Sequence, residues 1–158
     1  MKKAIIEKYG DLDVIKFIET AAPNLTKKQV LVKVKATALN PKDILVRKGK
    51  FKQLTGRKFP QGIGYDFAGT IEETNGHSFK KGDNVFGMVN GMQGCCCAEL
   101  VDVDVNELYK IPDKLSFEAA AGIPLAGQTA LQAIRDKGQL TKGQKICING
   151  ASGGVGTL

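Results

Sequence analysis

Apolar and polar residues alternate with a period of two through the first two thirds of the sequence. Residues 30–37 show the pattern most clearly, because every second side chain there is a valine or an alanine. This is the spacing of a strand that buries one face. The same alternation recurs, between turn residues, at 3–6, 14–19, 67–72, 84–89, 98–103 and 108–111. Short strands at this spacing predict a mainly β domain, either a barrel or a sandwich.

The pattern changes from strand spacing to helix spacing at Ser116. Ser116 is a favourable N-cap for a short helix over residues 117–121. Pro124 suits the first position of a second helix, which Gly138 ends. The predicted buried stripe of that second helix consists of Ala126, Ala130, Ala133 and Ile134. A compact strand is predicted over residues 145–149, so we expect the mainly β part to continue as an α/β segment.

A glycine-rich turn follows the predicted last strand, and residues 150–156 read Gly-Ala-Ser-Gly-Gly-Val-Gly. Such a turn lets backbone N–H groups approach a pyrophosphate. In the usual register of the dinucleotide fingerprint, Ala151 takes the place of the first glycine, whereas Gly150, Gly153 and Gly156 form a second possible register. The alternative is a tight turn that binds nothing. The ribose-reading residue expected ~20 positions further on would fall past Leu158.

Positive charge is concentrated in the first part of the chain. Residues 1–58 contain 15 basic and 5 acidic residues, whereas residues 59–158 contain 8 and 11. The densest basic stretch, residues 42–58, is interpreted as a solvated loop, with a polyanion site as the alternative. It carries no nucleic-acid motif, so we expect no nucleic-acid partner. No signal peptide and no run approaching ~20 apolar residues is present, which predicts a cytoplasmic protein without a membrane partner.

The cysteines and the single histidine do not form a metal-binding pattern. Cys95, Cys96 and Cys97 are adjacent, and Cys147 stands apart. Neighbouring side chains on an extended strand point to opposite faces, so this run is neither a zinc motif nor a disulfide framework. We interpret the cysteines as reduced thiols of a cytosolic chain. His77 is interpreted as a surface residue of a polar turn.

Five segments together resemble the medium-chain dehydrogenase/reductase superfamily, and within it the zinc-independent quinone oxidoreductase branch. In order and spacing they are residues 38–43, 62–69, 81–87, 119–130 and 150–156. The resemblance covers essentially the whole chain. It implies a GroES-like β barrel as the catalytic domain over residues 1–123. Residues 124–158 would then be a linking helix with the first strand and glycine turn of a Rossmann domain, and the chain would be an N-terminal portion of such an enzyme.

The resemblance also implies an activity. Members of this branch use NADPH to reduce quinones or activated alkenes, and we expect the same reaction class, a small-molecule acceptor and a homo-oligomer for the whole enzyme. We expect this N-terminal portion to be inactive by itself. Without zinc to polarise a carbonyl, the acceptor must already be electron-poor, as a quinone or an enone is. The alternative is a non-catalytic β-barrel module that binds a partner and is inactive alone.

Family positions suggest which residues bind the cofactor. Asn40 and Thr129 match residues that hydrogen-bond the nicotinamide and ribose side. Their alternatives are an Asn that starts a turn and a helix Thr that bonds its own backbone. The pyrophosphate would lie on Gly150, Ala151, Ser152, Gly153, Gly154, Val155 and Gly156. No metal is expected, because Asn40, Pro41 and Tyr65 stand where family alcohol dehydrogenases place zinc ligands.

Family positions likewise suggest a substrate pocket formed by Leu45, Tyr65 and Asp66. Tyr65 is the candidate catalytic residue, as a hydrogen-bond donor to the acceptor oxygen, and a buried aromatic with a satisfied hydroxyl is the alternative. Several relatives carry Tyr or Lys at the position of Leu45. Leucine cannot donate a proton, which leaves protonation to solvent. The Cys95–Cys97 run is a further candidate, for reaction with electrophilic enones.

The predicted last strand carries a physical consequence of its own. A strand of a parallel sheet is buried on both faces. Without neighbours, residues 145–149 would expose Ile146 and Ile148. We therefore expect this chain by itself to associate or to leave that segment disordered.

Overall fold

The computed structural model describes residues 1–75, 78–89 and 94–158. Within them the strands are β1 (Lys2–Ile6), β2 (Ile15–Glu19), β3 (Gln29–Ala38), β4 (Gln61–Gly62), β5 (Asp66–Thr74), β6 (Asn84–Met88), β7 (Leu100–Asp104) and β8 (Leu108–Lys110). The helices are α1 (Pro41–Arg47), α2 (Lys52–Thr55), α3 (Phe117–Ala121) and α4 (Pro124–Leu131). Short 3-10 turns lie at Leu12–Val14 and Val105–Glu107, and a π-helical segment, Gln132–Lys137, continues α4. The predicted mainly β architecture is confirmed.

The strands form two antiparallel sheets. The larger has the order β7-β3-β5-β6-β8, and the smaller has the order β2-β1-β4. The segment before β7 joins them, since the Ala4 N–H donates to the Cys97 carbonyl at 2.8 Å and the Val34 N–H donates to the Glu99 carbonyl at 3.0 Å. This segment places the cysteine run beside the start of β5, where the candidate site lies.

The larger hydrophobic cluster lies on one face of the larger sheet, as the alternation predicts, and a smaller cluster of Ala68, Ala120 and Ala121 lies where α3 packs against the sheet. The fully buried strand residues of the larger cluster are Val30, Val32, Phe67, Ile71, Val85, Val101 and Val103. Removing these branched and aromatic side chains from water supplies the main driving force for the sheet to form.

The predicted helices after Ser116 are present. The Ser116 hydroxyl accepts a hydrogen bond from the Ala119 N–H at 3.2 Å, the interaction expected of an N-cap. In α4, Ala126 and Ala130 are buried, but Ala133 is exposed, so the predicted stripe is wrong at that position. The reason is the change to π-helical spacing after Leu131, which rotates the following residues away from the α-helical face.

The basic stretch is not a loop, because it contains α1 and α2. Asn40 and Pro41 start α1, a favourable N-cap and first position. Its last residue, Arg47, is buried and donates to the Gly10 carbonyl at 2.8 Å and to Asp11 Oδ1 at 3.2 Å. The solvated-loop interpretation of residues 42–58 is therefore wrong for this helix, which is anchored at both ends.

Residues 145–149 do not form the predicted strand. They are exposed and unpaired, and Ile146 and Ile148 are 53% and 46% accessible. A strand needs a neighbour to accept its hydrogen bonds, and none of the described residues provides one. The expected exposure of these two side chains is confirmed, whereas association of the chain stays a prediction. The proposed boundary between residues 1–123 and 124–158 also stays a prediction.

Candidate functional site

A buried polar cluster lies where α1 begins and β5 enters the sheet. Its members are Asn40, Asp43 and Asp66. Asp43 accepts the Asn40 N–H at Oδ2 (2.7 Å) and the Gly64 N–H at Oδ1 (3.0 Å). Asn40 Nδ2 donates to Asp66 Oδ2 at 2.9 Å. The cluster therefore ties the first turn of α1 to the residues that precede and begin β5.

Asp66 also reaches the start of α4, since its Oδ2 accepts the Leu125 N–H at 3.4 Å. The residue is 1% exposed, and among the described residues Oδ1 has no hydrogen-bond partner. Burial raises the pKa of Asp66, and the hydrogen bonds from Asn40 and Leu125 counteract part of that effect. Burial likewise raises the pKa of Asp43. Burial thus disfavours the charged form of two neighbouring carboxyl groups.

Tyr65 lies in the hydrophobic core at 1% exposure. The Lys42 Nζ atom lies 3.7 Å from the centroid of the ring, a cation–π distance. Burial, reinforced by the negative charge of Asp43, raises the pKa of Tyr65 to about 12. The phenol is therefore neutral at physiological pH. This burial agrees with the alternative interpretation of Tyr65 as a buried aromatic residue. A catalytic role for Tyr65 stays a prediction.

Gly64 is the residue that brings Tyr65 and Asp66 to this place. Its φ of +84° suits glycine, and a Cβ atom there would lie 2.6 Å from Cys97 Sγ. The Gly64 carbonyl accepts the N–H groups of Cys95 and Cys96 at 2.9 and 3.0 Å. The cysteine run is therefore packed directly against the turn that precedes β5.

The cysteines differ in their surroundings. Cys96 is fully buried, and its thiol donates to the Tyr65 carbonyl at 3.0 Å. Burial raises the pKa of Cys96 and that of Cys97. A raised pKa disfavours the thiolate, which is the reactive form. Cys95 is half-buried and Cys147 is exposed. Reaction of the Cys95–Cys97 run with enones stays a prediction.

Thr129 lies apart from this cluster, on the exposed face of α4. Its hydroxyl donates to the Leu125 carbonyl at 2.7 Å, which is the backbone bond of the alternative interpretation. To bind the cofactor as a donor, the hydroxyl would have to give up its hydrogen bond to the Leu125 carbonyl. That role stays a prediction.

Leu45 is 39% exposed and lines a small pocket between α1 and α2. This α1–α2 pocket has a volume of about 450 Å³, and its lining residues are Lys42, Leu45, Val46, Phe51, Leu54 and Thr55. Through the ammonium group of Lys42 it adjoins the ring of Tyr65. The predicted substrate residues Leu45, Tyr65 and Asp66 are thus brought to one end of the sheet, although Tyr65 and Asp66 lie beneath the surface.

The glycine turn has backbone features that suit a pyrophosphate. Gly150 has a φ of +77°, and a Cβ atom at Gly156 would lie 2.6 Å from the Gly150 carbonyl oxygen. Both positions therefore require glycine. A Cβ atom at Gly154 would meet open space. Within the described chain, the N–H groups of Ser152 and Val155 donate to no backbone acceptor. Exposed, unused donors of this kind are what a phosphate group needs.

A larger apolar cleft of about 670 Å³ lies between α4 and the edge formed by β6 and β8. Its lining includes Phe86, Tyr109, Ile123, Pro124, Leu131 and Leu158. None of the predicted site residues belongs to that lining. The candidate site is therefore the polar cluster with the adjoining α1–α2 pocket.

No group of three His, Cys, Asp or Glu side chains that could hold a metal ion occurs in residues 1–75, 78–89 and 94–158. His77 lies outside the described residues. The absence of a metal therefore stays a prediction based on residue types.

Two residues of the site, Lys42 and Asp43, escape the sequence-based search. The run Asn40-Pro41-Lys42-Asp43 contains the signal that would have found them. An N-cap residue, a proline at the first position and an acidic residue at the third predict a helix start. That helix start places Asp43 at the N-cap backbone and half-buried Lys42 beside it in the first turn.

Comparison with known proteins assigns the class to which this fold and site belong. Residues 26–113 match the alcohol dehydrogenase GroES-like domain, and the chain belongs to that family. The structure is similar to the quinone oxidoreductase of Coxiella burnetii, with a TM-score of 0.92 and 35% identity over 100% of this chain and 51% of that one. It is also similar to a quinone oxidoreductase of Pseudomonas syringae, with a TM-score of 0.87 and 30% identity over 99% of this chain and 47% of that one.

The chain belongs to the medium-chain dehydrogenase/reductase superfamily, and its relatives in sequence include quinone and enone oxidoreductases. The chain is 36% identical to the 2-methylene-furan-3-one reductase of Solanum lycopersicum, over 95% of this chain and 40% of that protein. It is 35% identical to the chloroplastic NADPH-dependent alkenal/one oxidoreductase of Arabidopsis thaliana, over 100% of this chain and 43% of that protein. The chain thus spans less than half the length of these relatives.

The described part of the chain contains no helix that is long and apolar enough to cross a membrane. The similar proteins include chloroplastic and mitochondrial forms. The expected cytoplasmic location stays a prediction.

Proposed function

We propose that this chain is the N-terminal, acceptor-binding portion of an NADPH-dependent, zinc-independent reductase of quinones or activated alkenes. The observation that carries the proposal is the similarity to enone and alkenal reductases over nearly the whole chain, at 36% and 35% identity. Both relatives are named for the reduction of conjugated carbonyl compounds. The two quinone oxidoreductase structures extend the acceptor class to quinones.

When bound, NADPH supplies a hydride to the acceptor. In this chain the glycine turn, Gly150–Gly156, would hold its pyrophosphate through exposed backbone N–H groups. The close approach of Gly156 to the Gly150 carbonyl supports this role, because a side chain at Gly156 would push the two ends of the turn apart.

Asn40 is well suited to read an amide of the cofactor. Its Nδ2 donates to Asp66, and its side-chain oxygen accepts the Asp43 N–H in the capping box of α1, so the orientation of the side-chain amide is fixed. An amide oxygen has a second lone pair, with which it can recognise an N–H group without first losing side-chain entropy. Asp66 is then a positioning residue that acts through Asn40.

The chain favours an acceptor that needs no metal to become electrophilic. Several relatives have a Tyr or Lys at the position of Leu45. Leucine has no proton to donate, so this position cannot supply one to the acceptor. Hydride addition to a quinone or enone can precede protonation, and water then supplies the proton.

Binding is the direct test of this proposal, because the portion alone is expected to be inactive. The 158-residue chain is titrated with NADPH and, separately, with menadione, and binding is followed by calorimetry. We expect saturable binding of both, and Gly154→Val should abolish the binding of NADPH, since the added side chain occupies the open space over the turn. Ala133→Val, an exposed substitution outside the turn, is the matched control and should change neither affinity.

Absence of saturable NADPH and menadione binding by the wild-type chain would contradict the proposed function. It would favour the alternative, a non-catalytic module that binds a partner. The exposed Ile146 and Ile148 are the observation that favours this alternative. An unchanged NADPH affinity in Gly154→Val would separately contradict the role of the glycine turn.

A further inference from the structure

The α1–α2 pocket combines an apolar lining with one positive charge. Lys42 is the only charged residue of its lining, and the others contribute alkyl, phenyl and threonine groups. Leu45 and Leu54 remain 39% and 63% exposed in the folded chain. Apolar surface left open beside a single polar group is the usual arrangement of a small-molecule site.

The ammonium group of Lys42 is held in place but retains its hydrogen-bonding capacity. It lies over the ring of Tyr65 at 3.7 Å. In the part of the chain that the structure describes, it forms neither an ion pair nor a hydrogen bond. The neighbouring Asp43 uses both its oxygens for backbone N–H groups. Lys42 therefore presents three unused N–H donors.

The helix that carries Lys42 is firmly anchored. Asp43 binds the backbone before it and Arg47 binds the Gly10 carbonyl after it. Lys42 and Leu45 are three residues apart, so they lie on one face of α1. A cation and an apolar surface are thus presented together on a rigid element, which lowers the entropic cost of binding.

We propose that Lys42 anchors the carbonyl oxygen of the acceptor and that the α1–α2 pocket receives its apolar tail. This inference rests on the proposed function and names the substrate class more closely. The acceptor is a conjugated ketone or aldehyde, or a quinone, that carries an alkyl or aryl substituent. Lys42, one helical turn before Leu45, supplies the polar contact that leucine at position 45 lacks.

Lys42 would also assist the redox step of such an acceptor. When bound, NADPH would supply a hydride to the β-carbon of the enone and would itself be oxidised. The electron pair of the alkene would move to the carbonyl oxygen and form an enolate. An N–H group of Lys42 donates a hydrogen bond to that negative oxygen, where charge-assisted bonds are strongest. Water then protonates the α-carbon.

The pocket is tested with heptanoate, which has an apolar tail and a negative oxygen but cannot be reduced. The 158-residue chain, labelled at its Leu and Val methyl groups, is titrated and followed by NMR. We expect saturable shifts centred on Leu45, Val46 and Leu54. Lys42→Gln should weaken binding about tenfold, the effect expected from loss of a charge-assisted hydrogen bond.

Two control variants make the result specific. Lys48→Gln removes an exposed charge just after α1 and outside the pocket, so its affinity should equal that of the wild type. Leu54→Glu places a negative charge at the tail and should also weaken binding. Unshifted methyl resonances away from the pocket verify that each variant is folded.

Equal affinity of Lys42→Gln and the wild type would overturn the inference, and so would shifts that map outside the pocket or no saturable binding. No cofactor takes part in this titration. Failure of the proposed function therefore appears in the NADPH assay alone, and failure of the pocket appears in the heptanoate titration alone.

Discussion

Asp66 connects three parts of the chain, since one of its oxygens accepts hydrogen bonds from the Asn40 side chain and the Leu125 backbone while the residue itself begins β5. The other oxygen is buried without a hydrogen-bond partner among the described residues. Burying a polar oxygen without a hydrogen bond costs free energy, so the stability of the fold is sensitive to a change at Asp66.

Asp66→Ala is expected to destabilise the fold by about 1–3 kcal/mol, because it leaves the Asn40 amide and the Leu125 N–H without their acceptor. The free energy of unfolding is measured by urea denaturation. Asp113→Ala, which truncates an exposed aspartate, is the control and should stay within about 0.5 kcal/mol of the wild type. Equal stability of the two variants would contradict a structural role for the Asp66 hydrogen bonds.

Asp66→Asn is expected to change the pH dependence of stability. Burial raises the pKa of Asp66 above its ordinary value of 3.8, so the folded chain holds this proton more tightly than the unfolded chain. The resulting stabilisation is complete below pH 3.8 and is lost as the pH rises through the raised pKa. The free energy of unfolding of the wild type should therefore fall, relative to Asp66→Asn, as the pH rises from about 4 through the raised pKa of Asp66.

Denaturant unfolding of both proteins at several pH values in this range measures the effect. Asp43 is present in both proteins, so its own titration largely cancels in the difference. A difference between the two that rises with pH would show that Asp66 is held as a stabilised carboxylate.

Among the secondary-structure elements, β3 and β5 pack closely against each other at Gly69. A Cβ atom there would collide with the Lys33 carbonyl oxygen and would lie 2.8 Å from Val32 Cγ1. Since β5 leads directly from Asp66, the spacing of these two central strands also positions the candidate site.

Gly69→Ala is expected to cost about 1–3 kcal/mol of stability, because the central strands must separate to accept the methyl group. Thermal unfolding followed by circular dichroism measures the loss. Gly122→Ala is the matched control, since its Cβ atom would make only an ordinary contact of 3.5 Å with the Ala119 carbonyl oxygen. A Gly69→Ala protein as stable as that control would contradict the close packing of β3 and β5.

The strands could be predicted from sequence, because a buried face imposes a period of two on most of β3, although the register shift between Val34 and Ala36 places these two residues in different hydrophobic clusters. The contact between Lys42 and Tyr65 could not, because it depends on the left-handed turn at Gly64 that brings β5 beneath α1. The glycine turn was recognised by its residues. The strand expected before it is wrong, because hydrogen bonding to neighbouring strands and not local preference decides whether residues 145–149 pair.

For the molecule as a whole, the exposed segment before the glycine turn predicts self-association. Ile146 and Ile148 present apolar surface to water, and covering such surface favours association. Sedimentation velocity over a range of concentrations should reveal species larger than the monomer. Ile148→Lys should raise the dissociation constant about tenfold, since it places a charge in the apolar contact, whereas Lys145→Gln should leave it nearly unchanged. A wild-type chain that stays monomeric at every concentration would contradict this prediction.

The central claim is that this chain recognises NADPH through the glycine turn, and a fluorescence titration tests it most directly. NADPH is titrated with the wild-type chain and with Gly154→Val, whose added side chain meets only open space in the folded protein. We predict saturable micromolar binding by the wild type and at least a tenfold loss in the variant. No saturable binding, or equal affinity of the two proteins, would contradict the claim.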